Sequence, residues 1–352
     1  MINNKVELLD KKKFLHFQKF YKVYSKSKNI LKKKFINWIS NNYLFCDFFN
    51  NKKLPILVVW NKNQSKILSC FVFYISFILK NKKKKLSLWN IFFINSSNPG
   101  FSILMIKKIS KISNIICGNH FSKNSFASFN RYFGEKLLSE VPRRIAIIDN
   151  IICNKYLNKN NNDLTKKFID SNVASINNRK IYEILDLNNI QDIFWTDHQK
   201  RFKLTFDRSK SFIKWRFINH PYKKYIIMAS DSYASKGLAI CTVESLPRFN
   251  VLRIMDLMPK AGYEKDLIEL VLNYAKNKNC ILADFFCTHK YISKICMYPF
   301  VDFNEHKKYN IPYLFNPVEI RENKSFNLYI SKQRNSYKDL YCTKSDGESQ
   351  LF

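Results

Sequence analysis

The sequence predicts an α/β chain of the α+β kind, folded as two tandem modules. Each module is a mixed, mostly antiparallel sheet flanked by helices. Three observations predict it. The chain has 352 residues, 46 % of them apolar, enough to build two cores of ordinary domain size. An element order of three strands, helix, strand, helix and strand occurs in both halves. A polar, aperiodic stretch, Asn150–Asp163, lies between them. The expected division is 1–150, a linker and connecting segment over 151–180, and 181–352.

In the first half, residues 1–50 read as helical. Leu8, Leu9, Phe14, Phe17, Phe20 and Tyr21 recur at helical spacing between lysines, as do Ile36, Ile39 and Tyr43. Ile56–Trp60, Ile67–Leu79 and Leu86–Ile94 are rich in β-branched and aromatic residues and read as strands. Asn61-Lys-Asn-Gln64 and Asn81 through Lys85 separate them as hairpin connections, so the three form a meander. Asn98-Pro99-Gly100 is a turn that opens a helix running to about Ile112. Asn114–Cys117 is a short strand. Ser122–Tyr132 is helical, with Phe126, Phe129 and Phe133 on one stripe and Gly134 as its stop. Val141–Asp149 completes the half as a strand.

The second half opens with helices over Asn189–Lys200 and Arg208–Ile218. The latter ends before Pro221, because the residue preceding a proline resists helical geometry. Tyr225–Ala229, Gly237–Glu244 and Val251–Leu257 are strands. Tyr263–Asn277 is an amphipathic helix with Leu267, Leu270, Val271 and Tyr274 on one stripe. Strand Ile281–Phe285, helix His289–Met297 and strands Phe300–Phe303 and Phe326–Ile330 follow.

The formal net charge is +33, which by itself points to nucleic acid or an anionic membrane. Of the 60 basic residues only 11 are Arg, the better fork for phosphates and base edges, and this argues against a nucleic-acid partner. The first 150 residues carry 28 basic and 6 acidic residues, so an anionic surface is expected there. Nine cysteines show no C-x-x-C spacing and sit mostly in apolar runs, as small buried hydrophobes of a reducing compartment. The six histidines form no ligand-spaced cluster, so no metal is expected. Ile67–Leu79, the longest uncharged apolar run, is too short to span a bilayer as a helix, and no secretory h-region is present. A cytoplasmic protein is expected, with a peripheral position at the anionic inner membrane face as a further option.

Several motifs carry a family resemblance. Trp215-Arg216-Phe217, His220-Pro221 and Tyr225 resemble the WR(F/Y)-x-x-HP-x-x-x-Y signature of GNAT-like acyltransferases encoded with surface-polysaccharide biosynthesis genes. Ile254-Met-Asp256 resembles that family's I-V-D, and Ala283-Asp284-Phe285 with Phe300 its DF…GF. Pro312 through Pro317 resembles its P-x-x-F-x-P, and Thr343-Lys-Ser-Asp346-Gly-Glu348 its closing T-x-x-D-G-D. Trp89, Pro99-Gly100 and Gly118-Asn119 through Gly134 are placed as in related N-terminal modules.

The resemblance implies a sheet that splays between its fourth and fifth strands to hold acetyl-CoA or another acyl-CoA. Leu257, Met258, Gly262 and Gly100 would lie along the donor, with a helix N-terminus at the pyrophosphate. Neither Asn98–Ser102 nor Pro259–Tyr263 has the full glycine-rich loop of active relatives. The implied acceptor is an amino or hydroxyl group of a sugar nucleotide or lipid-linked sugar. Asp256 or Glu244, at strand ends near the splay, would take its proton. His220 is an alternative base, since its ordinary pKa lies near the working pH, and Tyr298 is a candidate acid for the departing thiolate. Trp215, Arg216, Tyr225 and Asp346 would line the acceptor site. Two other readings stand beside this one. One is a Fem-type transferase using aminoacyl-tRNA. The other is a catalytically degenerate double module that binds glycan, lipid carrier or nucleic acid.

Overall fold

The computed structural model describes residues 4–24, 32–95, 100–113, 115–119, 136–157, 180–288, 291, 299–303, 311, 314–315, 318–319, 326–331 and 339–346. The first half begins with strand β1 (Val6–Asp10) and helices α1 (Phe14–Tyr24), α2 (Lys33–Ser40) and α3 (Phe45–Phe48). The meander β2 (Lys53–Trp60), β3 (Ile67–Lys80) and β4 (Lys83–Asn95) follows, then α4 (Gly100–Ile112) and β5 (Ile116–Asn119). Strands β6 (Lys136–Val141) and β7 (Arg143–Ile147) and helix α5 (Asn150–Leu157) close this half.

The second half opens with β8 (Tyr182–Glu183), α6 (Asp192–Lys200), β9 (Leu204–Phe206) and α7 (Lys210–Ile213), which runs on as a π-turn through Ile218. Its meander is β10 (Ile226–Ala229), β11 (Gly237–Ser245) and β12 (Asn250–Pro259), followed by α8 (Glu264–Asn277) and β13 (Cys280–Phe286). The chain ends with β14 (Val301–Asp302), the small hairpin β15 (Leu314–Phe315) and β16 (Val318–Glu319), β17 (Phe326–Ser331) and β18 (Leu340–Tyr341).

Two mixed sheets result. The first has the order β1-β2-β3-β4-β5-β17-β6, and the second β14-β7-β13-β12-β11-β10-β8. The first sheet has two further strands, β9 antiparallel to the end of β3 and β18 parallel to β9. Each sheet thus contains strands from the other half. Strand β17 sits between β5 and β6 in the first sheet, and β7 sits between β13 and β14 in the second. The link is made at Pro142, which parts β6 from β7. Proline has no N–H to give a ladder, so the strand expected over Val141–Asp149 is β7 over Arg143–Ile147, while Val141 ends β6 in the other sheet.

Strand β3 shows why these residues pair as they do. Cys70, Val72, Tyr74 and Ile78 face a core shared by both halves, while Phe71, Phe73 and Ile75 face α4 residues Met105 and Ile109. A strand covered on both faces reads as a continuous apolar run rather than an alternating one. In the second sheet Gly237 adopts φ +113°, and a Cβ there would meet the Met258 carbonyl oxygen at 2.5 Å. Only glycine lets β11 approach β12 so closely at its start.

Two further sequence expectations are corrected. Leu8 and Leu9 lie on strand β1, paired antiparallel with β2, and the helix begins only after Asp10 caps the Lys12 amide at 2.9 Å. Asn150–Leu157 is helix α5 rather than linker, started by the Asp149 carboxylate on the Ile152 amide at 2.9 Å. The helices expected at 122–132 and 289–297 lie outside the described residues, as do Tyr298 and Glu348, apart from the single residue Tyr291.

Candidate functional site

In both sheets the fourth and fifth strands run parallel and then part. Strand β4 pairs with β5 only at Leu88↔Ile116 and Trp89↔Cys117, although β4 continues to Asn95. Strand β12 pairs with β13 up to Ile254↔Phe285 and continues to Pro259. Each long strand carries a β-bulge at the parting point. Phe73 faces Asn90 and Val72 faces Phe92, so Ile91 is the extra residue. Cys241 faces Ile254 and Ile240 faces Asp256, so Met255 is the extra residue. A bulge strengthens local twist and re-aims the strand beyond it, and here it turns the end of the long strand away from its parallel neighbour.

The second cleft is filled by the chain's own C-terminal segment. Thr343 bridges Cys287, the Thr288 amide donates to the Cys342 carbonyl at 3.1 Å, and Tyr341 donates to the Leu257 carbonyl at 2.7 Å. Leu340–Asp346 therefore lies between the diverging strands, joined to β12 on one side and to the extension of β13 on the other. At its centre is a fully buried ionic cluster. Asp346 takes two hydrogen bonds of 2.6 Å from the Arg208 guanidinium. The Arg208 Nε donates to Asp256 Oδ2, which also accepts from Ser345 Oγ at 3.0 Å, while Asp256 Oδ1 accepts from Tyr341 at 2.6 Å. Burial disfavours the Arg208 charge, but the Asp256 and Asp346 carboxylates outweigh it and hold the pKa well above the usual guanidinium value. Burial pushes the Asp346 carboxyl up, against the pull of Arg208.

The sequence-nominated residues fall into place around this cluster. Asp256 is wholly buried with both oxygens engaged, so it holds the C-terminal segment rather than facing an acceptor amine. Asp346 is its counterpart across Arg208. Arg216 is buried and donates from Nε to the Ser345 carbonyl at 3.3 Å. The Leu257 carbonyl is occupied by Tyr341, and Met258 is a buried ladder residue opposite Leu238. Gly262 lies in the exposed turn before α8 with φ +86°, and Gly100 begins α4.

Glu244 belongs to a second ionic row that crosses four strands. It lies 3.8 Å from Lys223 and 3.7 Å from Arg253. Arg253 reaches Asp284 at 3.2 Å, and Asp284 is held by Arg143 through two bonds of 2.8 and 3.1 Å. Arg143 stands on β7, so this row fastens the exchanged strand to its host sheet. Burial lowers the Lys223 pKa, with Glu244 opposing it.

His220 uses its Nδ1 lone pair to accept the amides of Tyr222 and Lys223 at 3.3 and 2.9 Å. A neutral imidazole has one acceptor nitrogen, and in His220 that nitrogen shapes the turn at Pro221 instead of serving as a base. Tyr225 packs edge-on against His220 and Phe217, and burial pushes its hydroxyl up to about 12. Trp215 is stacked on Trp38 with ring centroids 4.8 Å apart, and each indole donates to the other's backbone carbonyl, at 2.9 and 3.0 Å. This reciprocal pair joins the two modules at equivalent helices. Its sequence signal is the repeat Phe35-Ile36-Asn37-Trp38 and Phe212-Ile213-Lys214-Trp215, too short to stand out from apolar periodicity alone.

The first cleft differs from the second in three ways. Among the described residues no strand pairs with β4 beyond Trp89 on the β5 side. The Asn90 side-chain oxygen, at the first position past the last parallel pair, is buried with no hydrogen-bond partner among the described residues. Helix α4, which starts close after β4, has no acidic residue in its first turn, whereas α8 begins with Glu264 and Asp266. A helix N-terminus attracts anions through its dipole and free amides, and carboxylates in the first turn cancel that attraction. The first cleft is thus the one suited to a phosphate-bearing ligand. Asn90 was not singled out from the sequence, because a lone Asn inside an apolar strand carries no signal by itself.

One buried group gives the molecule a pH dependence. His198 on α6 is 4 % exposed, and both of its ring nitrogens lack a hydrogen-bond partner among the described residues. Burial, then Arg208 and Arg201, hold its pKa well below the usual imidazole value. The unfolded chain takes up a proton there near pH 6.5 and the folded chain does not. Stability is therefore full above about pH 6.5 and falls below it, by up to about 1.4 kcal/mol per pH unit. Urea unfolding between pH 7.5 and 5 checks this. His198→Phe is expected to flatten the slope, and an unchanged slope in the variant would exclude His198 as its source.

Among the described residues no three His, Cys, Asp or Glu side chains are placed to hold a metal ion, and no helix is long and apolar enough to cross a membrane. No protein-family model and no curated protein matches the sequence. Solved structures do match the fold. Saccharomyces cerevisiae N-myristoyltransferase with bound myristoyl-CoA aligns with a TM-score of 0.52 and 10 % identity, over 94 % of this chain and 78 % of that one. A GCN5-related N-acetyltransferase from Anabaena variabilis aligns at 0.57 and 9 % identity, over 93 % and 72 %. Another from Kribbella flavida aligns at 0.51 and 9 % identity, over 93 % and 71 %. At these identities the likeness is one of fold: the chain shares the GNAT-type fold, with two mixed, mostly antiparallel sheets flanked by helices.

Proposed function

We propose that the protein is an acyltransferase that draws its acyl group from acyl-CoA held in the first cleft. The observation that carries this reading is the contrast between the clefts. The second is occupied by Leu340–Asp346 and faces a helix headed by two carboxylates. The first keeps an unpaired strand edge and an unpartnered buried Asn90 oxygen next to a helix with no acid in its first turn. The pantetheine amides lie along the open edge of β4, the Asn90 oxygen accepts one amide proton, and the pyrophosphate meets the start of α4. Backbone N–H groups freed by the bulge at Ile91 stabilise the tetrahedral oxyanion as the nucleophile attacks the thioester carbonyl. The second module serves as a support that positions the first.

The acceptor in this reading is an amino or hydroxyl group of a sugar intermediate in surface-glycan synthesis, nucleotide-linked or lipid-linked. The motif resemblance at Trp215–Tyr225 and Thr343–Glu348 supports that class, and the excess of basic residues in the first half suits a phosphorylated acceptor. The test is release of free thiol when the purified chain meets acyl-CoAs from acetyl to myristoyl together with nucleotide-linked amino sugars. Acceptor-dependent thiol release is expected. Absence of both turnover and donor binding across the panel would overturn the proposal.

A further inference from the structure

A cavity of about 600 Å³ opens in the second module, away from the first cleft. It lies between α6, the β10–β11 turn and the end of β12. Three observations say that it is made for a ligand. His198 lines it, almost completely buried, with both ring nitrogens unpartnered. A buried polar group without a partner is costly, and native folds rarely keep one without a use. The mouth is flanked by Ile193 and Tyr233, 61 % and 69 % exposed, large apolar side chains that no core accounts for. At the equivalent place in the first module the imidazole of α1 is partnered instead: His16 Nδ1 donates to the Ser65 carbonyl of the β2–β3 turn at 3.1 Å.

The chemistry of the lining narrows the ligand. The walls are mainly apolar, with Phe194 and Pro259 along the body of the cavity. The charged groups at the mouth are mostly paired with each other: Arg201 with Glu264 at 3.1 Å, Asp197 with Lys200 at 3.8 Å. Lys236, just behind the turn, faces Asp266 at 3.7 Å. Lys260 lines the mouth and has no ion pair among the described residues. A ligand that fits has one negative charge at Lys260, an apolar body, and an uncharged hydrogen-bonding group at the inner end.

We infer that this cavity binds an apolar monocarboxylate bearing a hydroxyl or carbonyl at its far end, with the carboxylate on Lys260 and the far group on His198. It is a site of the second module, independent of the donor cleft. Its binding does not depend on the acyltransferase reading.

Calorimetric titration of the full chain with decanol, decanoate and 10-hydroxydecanoate tests it. One saturable site is expected, with affinity rising in that order. Lys260→Gln is expected to weaken decanoate about three- to fivefold and leave decanol unchanged, the size of a part-exposed ion pair. His198→Phe is expected to erase the advantage of 10-hydroxydecanoate over decanoate, a factor of about two to ten. Ala261→Trp, at the exposed rim, is expected to block all three probes without unfolding the protein, as checked by circular dichroism. The inference falls if none of the probes saturates a single site, or if binding persists unchanged in folded Ala261→Trp. Displacement of these probes by acetyl-CoA would merge the cavity with a donor site and overturn its independence.

Discussion

Arg208→Met is expected to destabilise the fold by about 3–5 kcal/mol, read as a fall in the urea midpoint at constant m value. The mechanism is the loss of the cation that pairs directly with both Asp256 and Asp346, which are wholly buried. Two buried carboxylates then lose their shared ion-pair partner. Burial already pushes Asp346 up against the pull of Arg208, so in the variant that carboxyl is driven further toward its protonated form. The deficit is therefore expected to be smaller at pH 4 than at pH 8. A double-mutant cycle with Asp346→Asn should show strong coupling, because each single change leaves the other partner stranded. A loss below about 1 kcal/mol, or coupling near zero, would mean that the C-terminal segment is not held by this cluster.

Asn90→Leu is expected to do the opposite to stability and to cost binding. Removing a buried, unpartnered carbonyl oxygen relieves a penalty of about 1–3 kcal/mol, so the free protein should unfold at higher urea. In the proposed donor complex the same oxygen has an amide proton to accept, and its loss should weaken a non-transferable thioether analogue of acyl-CoA about tenfold. Affinity and stability moving in opposite directions is the mark of a functional polar atom. Unchanged affinity with raised stability would remove Asn90 from the donor site and leave the first cleft without its strongest support.

Much of the architecture was legible because the punctuation is local. Asn81 and Lys82 make the β3–β4 turn with φ of +47° and +66°, and Asn61 through Gln64 does the same service between β2 and β3. The meander and the helix after it could therefore be read in both halves. What escaped depends on partners far away in the chain. Leu8 and Leu9 fit a helix as well as a strand, and only pairing with Leu57 and its neighbours decides for the strand. Asp256 at a strand end could be a proton acceptor or an anchor. The deciding groups, Arg208, Tyr341 and Ser345, lie 48, 85 and 89 residues away. The conspicuous Trp-Arg and His-Pro signature drew attention to substrate recognition. In three dimensions it makes the joint between the modules: Trp215 on Trp38, His220 on the Pro221 turn.

The traded strands carry a consequence for any attempt to divide the chain. Either half alone would lack the strand that lies beside its fifth, leaving a raw edge in the middle of its sheet. Dividing it at the midpoint today would yield not two proteins but two incomplete fragments, each carrying a strand that completes the other.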